Sequence, residues 1–191
     1  MQTSTTKSRM RTTRACTILL TTGLLAFFAG GIRAQTSFAV EGRAGVTFPQ
    51  GDLSDAGAES GLSLGAELQA TFRPNLTAYV GLHRHAFNCE GSCPLGSSPT
   101  STGIGAGLKY IFHSPGDAHL WGRGGLIANV LDSDGGSSDR EIGFEVGFGA
   151  DMPIAPRLSL VPNIGFTTHD AGAGLTASFV TLGVGVHYHL N

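Results

Sequence analysis

The sequence predicts an all-β fold: an eight-stranded antiparallel up-and-down transmembrane β-barrel, preceded by a cleavable signal peptide. Three observations carry this expectation. An apolar/polar alternation keeps one phase from Ser37 to the end of the chain, turn signals cut that stretch into eight strand-length segments, and the connections are alternately short and long. Successive side chains of a strand point to opposite faces, so a constant phase gives every strand one apolar and one polar face.

The leader comes first. Lys7, Arg9, Arg11 and Arg14 precede an apolar stretch, Ile18-Leu19-Leu20 through Leu24-Leu25-Ala26-Phe27-Phe28, that is too short for a stable span. Ile32-Arg33-Ala34 supplies a small residue at a cut, with positions near Ala29 or Gly31 as alternatives, which divides the chain into a signal peptide over 1–34 and one barrel domain over 35–191. Of the twelve basic residues five lie in the leader, with none of the fourteen acids, so the domain keeps seven bases and a net charge of −7. That balance argues against nucleic acid as a partner. No nucleotide loop, zinc-spaced cysteine set or nucleophile elbow is present, and no catalytic residue, metal or cofactor is predicted.

The strands follow in order. The first, 37–49, carries Phe38, Val40, Ala44, Val46 and Phe48 on even positions; the second, 61–73, carries Leu62, Leu64, Leu68 and Phe72. Turn signals bound 76–88, 101–112, 119–131 and 158–169. The alternation returns in 141–153 as Ile142, Phe144, Val146, Phe148 and Met152, and in 177–190 as Val180, Leu182, Val184, Val186, Tyr188 and Leu190. Pro74-Asn75, His113 to Ala118 and Ala155-Pro156-Arg157 are short turns, whereas 50–60, 89–100, 132–140 and 170–176 are long and rich in Gly, Ser and Asp. Pro162 falls mid-strand, where it cannot donate to a ladder, and predicts a bulge or locally weakened pairing. Phe72, Tyr110, Phe112 and Tyr188 near the turn ends, and Phe48, Phe144 and Phe166 near the loop ends, are expected as aromatic girdles.

The end of the chain, Gly183-Val184-Gly185-Val186-His187-Tyr188-His189-Leu190, resembles the C-terminal signal read by the barrel assembly machinery, with Leu190 in place of the second aromatic and Asn191 after it. Together with the strand count, this makes the domain similar to the small eight-stranded outer-membrane β-barrels, such as the transmembrane domain of outer-membrane protein A and outer-membrane protein X. The resemblance implies a bacterial outer-membrane location, short turns in the periplasm and long loops outside. It also implies outer-membrane lipid, lipopolysaccharide, the assembly machinery and an extracellular surface ligand as partners, and roles in envelope integrity, adhesion or surface contact.

The odd-numbered face supplies Glu41, Arg43, Glu67, Arg73, Lys109, Arg123, Glu145 and Asp151. An eight-stranded interior is just wide enough for side chains, so this set reads as an ion-pair plug. Counting from the turns puts Glu41, Arg43, Glu67, Lys109, Arg123 and Glu145 within a few residues of mid-barrel height, and Arg73 and Asp151 nearer the periplasmic mouth. Two further readings stay open: a low-conductance pore gated by exchange of those pairs, and a soluble lipocalin-like ligand-binding barrel with the apolar set turned inward. His83 and His85, His187 and His189, and His169 read as polar lumen filling, because no Cys or carboxylate is expected at the height of either pair. Cys89 and Cys93 share one long loop of an exported protein, which predicts a disulfide. The acidic stretch 132–139 lacks calcium-loop spacing. The lipid-facing set, with Arg84, Thr102 and Thr168, lacks a histidine, serine and acid together, so no enzyme is expected.

Overall fold

The computed structural model describes residues 36–89, 98–133, 136–171 and 174–190; the expected leader lies outside the described residues. Eight long strands form the wall: β1 (Ser37–Gln50), β2 (Ala58–Arg73), β3 (Leu76–Cys89), β4 (Thr100–His113), β5 (His119–Ser133), β7 (Glu141–Ala155), β8 (Leu158–Asp170) and β9 (Thr176–His189). The predicted boundaries agree with these to within about three residues. Two short pieces were not expected. A two-residue strand, β6 (Gly136–Ser137), folds back on the end of β5, and a one-turn helix, α1 (Asp52–Asp55), interrupts the first long loop. Leu53 is the lone apolar residue of that turn, too little to give a helical period.

Each long strand pairs antiparallel with its chain neighbours, and β9 returns to β1 with Glu41 opposite His187 and Ala44 opposite Val184. The ring is therefore closed. Closure leaves no unpaired edge, the condition for a sheet to sit in hydrocarbon. Side-chain exposure then fixes which way the faces turn. Every exposed large apolar residue, from Phe38 to Leu190, has an even number, and every buried polar or charged residue, from Glu41 to His187, has an odd one. The outer surface is thus an apolar band and the interior a polar filling, the arrangement of a membrane barrel. A soluble lipocalin-like barrel requires the reverse, so that alternative is corrected.

Tyr110, Phe112 and Tyr188 are exposed near the turn ends, and Phe48 and Phe144 near the loop ends. Phe166 is half-buried, its ring tilted against Phe144 at 6.4 Å. The short turns are Pro74-Asn75, residues 114–118 and Pro156-Arg157. In the second, Gly116 takes φ 61°, a left-handed conformation that a side chain would strain. At Pro162 the ladder to β9 runs on through Val184, but pairing to β7 lapses between Gly149–Asn163 and Met152–Leu160 without a change of register. The weakened pairing is present and the bulge is not. The missing N–H of proline costs the ladder on one side only, because a strand residue directs its amide to a single neighbour.

Candidate functional site in the barrel lumen

The lumen is filled in four tiers. At the turn end, Lys109 Nζ lies 2.9 Å from Asp151 Oδ1 and 2.8 Å from Oδ2, while Trp121 donates from Nε1 to Oδ1 at 3.0 Å. The Lys109 ammonium also stands over the Trp121 ring, 4.6 Å from its centroid, so one cation is held by a carboxylate and a π-face together. Lys109, expected within a few residues of mid-height, stands on the turn side of the middle of β4 and pairs with Asp151, the residue expected nearer the mouth. Lys109, Asp151 and Glu41 each stand four residues from the turn end of their own strand, β4, β7 and β1.

The central tier is a chain of charges. Arg123 reaches Glu67 Oε2 at 3.0 Å through Nη1 and Glu145 Oε2 at 3.1 Å through Nη2. Glu67 Oε2 also pairs with Arg43 Nη2. Arg43 Nε lies 2.9 Å from Glu41 Oε1, off its N–H axis, so that contact is one of charge. Gln69 donates its amide to Glu41 Oε2 at 2.8 Å and to Glu67 Oε1 at 2.6 Å. Tyr79 donates its hydroxyl to Glu145 Oε1 at 2.7 Å, and the Arg123 guanidinium lies 5.0 Å from the Tyr79 ring centroid. Glu41, Arg43, Glu67, Arg123 and Glu145 are therefore brought together, and Lys109 joins Asp151 in the tier below. Arg73 is exposed at the end of β2, which leaves four acids and three bases in the ion-paired set.

Above these, His83 Nε2 bonds Asn129 Oδ1 at 2.7 Å, Asn129 donates to Ser101 Oγ at 2.9 Å, and Ser101 meets His169 Nε2 at 3.1 Å. The loop end is apolar. Leu53 from α1 packs with Ala58, Phe87, Ala177 and Phe179, and the His85 ring tilts against Phe179 at 4.5 Å. These residues escaped the sequence reading, although Tyr79, Phe87, Trp121 and Phe179 carry a usable signal as large aromatics on odd positions.

Glycine makes room for this filling. A Cβ on Gly107 or Gly125 would stand 2.6 or 2.4 Å from Tyr79 Oη, and one on Gly149 would stand 2.4 Å from Trp121 Cζ2. Among these side chains lies a cavity of about 70 Å³ lined by Arg43, Ser63, Glu67, His83, Arg123 and Glu145. That is space for a few waters among polar partners. Cys89 ends β3 at the loop side; Cys93 lies outside the described residues.

Residues 19–189 match the family model of the outer membrane protein beta-barrel domain. Among solved structures, Neisserial surface protein A is 20% identical with a TM-score of 0.61, covering 81% of this chain and 99% of that one. OprG of Pseudomonas aeruginosa is 12% identical with a TM-score of 0.52, covering 80% and 96%. A major outer membrane protein of Thermus thermophilus is 16% identical with a TM-score of 0.50, covering 82% and 100%. At these identities the likeness is one of fold. No curated protein matches the chain.

Proposed function

Since the chain belongs to the outer membrane protein β-barrel family, with the bacterial outer membrane as its location, we propose that it is a structural and interaction protein with a plugged lumen. The observation that carries this reading is the filling: ion-paired side chains through the centre and a packed apolar group, Leu53, Phe87 and Phe179, across the loop end. The cavity of about 70 Å³ among the ion-paired side chains has room for a few waters, which supports a closed interior over a conducting one. Solute passage would require several buried pairs to part together, and each unpaired charge costs several kcal/mol.

The reading extends to biogenesis and contact. The segment 1–34 directs export, the assembly machinery reads the C-terminal strand, and the long loops meet lipopolysaccharide and an extracellular surface ligand. The protein is read as non-catalytic and as having no nucleic-acid partner. Planar-bilayer recording of the unmodified, refolded protein tests the plug: the membrane should stay silent. A steady large conductance would sink the proposal and favour a pore.

Cys89 and Cys93 form a loop disulfide in this reading. Closing so short a peripheral loop contributes little to the barrel. Cys89→Ser should therefore leave heat-modifiable gel mobility unchanged, while free-thiol labelling of the unmodified exported protein gives no adduct until it is reduced. Loss of the folded band in that variant, with export intact, would make the loop part of the fold.

A further inference from the structure

One imidazole in the turn-end tier is out of place in a filled lumen. His187 is 6% exposed, and neither of its ring nitrogens has a hydrogen-bond partner among the described residues. A buried nitrogen without a partner is costly, so its surroundings call for a reason. One ring nitrogen of His187, a carboxylate oxygen of Glu41 and one of Asp151 all lie within 4.8 Å of one another. The expectation of no carboxylate at the height of His187 is corrected: Glu41 stands directly opposite it across the β1–β9 ladder. The three residues come from β1, β7 and β9 and are buried.

Charge points the same way. The ion-paired lumen set holds four acids and three bases, so with neutral imidazole it carries one uncompensated negative charge. Two of those acids are the ones that face His187. Their other contacts are already made. Gln69 and Arg43 hold Glu41, and Lys109 and Trp121 hold Asp151. Such partners fix the orientation of metal-ligating carboxylates.

We propose that Glu41, Asp151 and His187 bind one divalent first-row transition metal of the zinc type inside the periplasmic end of the barrel. One imidazole nitrogen and two carboxylate oxygens are a donor set such ions accept, with an open position for water. Donors around a tetrahedral ion with bonds of about 2.1 Å stand roughly 3.4 Å apart, so no two of the three, all within 4.8 Å of one another, need close by more than about 1.4 Å on binding. The site would tie three strands together, and it holds whether or not the barrel conducts.

The test uses the full refolded barrel in detergent, stripped with a chelator and titrated with Zn²⁺ against a chromophoric indicator. One ion should bind per barrel. His187→Ala should weaken binding by more than about 10-fold, the loss that even outer-shell changes cause, while His113→Ala, at the exposed turn, should not. X-ray absorption of the Zn²⁺-loaded unmodified protein should show one imidazole among oxygen ligands, which decides the matter if His187→Ala fails to give a folded band. Absence of stoichiometric binding, unchanged affinity in a folded His187→Ala, or a spectrum with several imidazoles would overturn the proposal.

Discussion

Arg123→Ala should turn a silent barrel into a leaky one and lower its stability by about 3 kcal/mol, toward the lower end of what breaking a buried pair costs. Arg123 is the cation that Glu67 and Glu145 share, at 3.0 and 3.1 Å. After its removal Glu67 keeps Arg43 and Gln69, but Glu145 keeps only the Tyr79 hydroxyl. The vacated volume joins the cavity that Arg123 already lines, and water enters to hydrate the carboxylate. With a second negative charge uncompensated, the path should favour cations. Urea titration followed by gel mobility reads the stability, and single-channel recording in asymmetric salt reads the leak and its sign. Adding Glu145→Gln should recover part of the stability, since the orphaned charge is gone. A silent and fully stable Arg123→Ala would remove this arginine from the plug.

On the outer wall the large effect should come from Leu82→Arg, a loss of about 2–4 kcal/mol for an arginine at the bilayer midplane. Leu82 sits halfway along β3, 65% exposed, between Ala66 on β2 and Ile104 on β4. Ile142 is as exposed, at 74%, but is the second residue of β7 at the loop end. Ile142→Arg should cost only about 0–1 kcal/mol, because the guanidinium reaches the interface. The comparison isolates depth from chemistry. Equal urea midpoints for the two variants in lipid vesicles would mean that no hydrocarbon gradient lies across this surface.

Much of the fold was legible because a strand's two-residue period survives any tertiary context. Once Phe38, Leu62 and Phe144 set the phase, the same parity decides which side chains meet lipid in every stave, and the structure keeps it. Height within the lumen was less legible. Facing residues belong to strands far apart in the chain, and tilt and shear shift one stave against the next, so a count from a turn is only a rough level. Asp151 was placed near the mouth correctly, but its pairing with Lys109 was not foreseen, and the carboxylates near His187 were missed. The apolar loop-end group was hidden differently. Phe87 and Phe179 carry the right parity for the lumen, but the expectation of a polar interior discounted them, and Leu53 has no periodic context at all.

The first and last staves meet along one line, and α1 lies across it. Asp52 Oδ2 accepts a hydrogen bond from the Thr176 backbone N–H at 3.1 Å, and Leu53 packs in the same group as Phe179. Residues more than a hundred positions apart in the chain are joined there. These contacts require β1 and β9 to be already side by side, so they are absent from any state in which the seam is still open. Interactions made only after the rate-limiting step act on the reverse rate alone. The small helix on the loop end therefore adds its energy to the finished barrel alone, as a slower opening of the seam between the first and last staves.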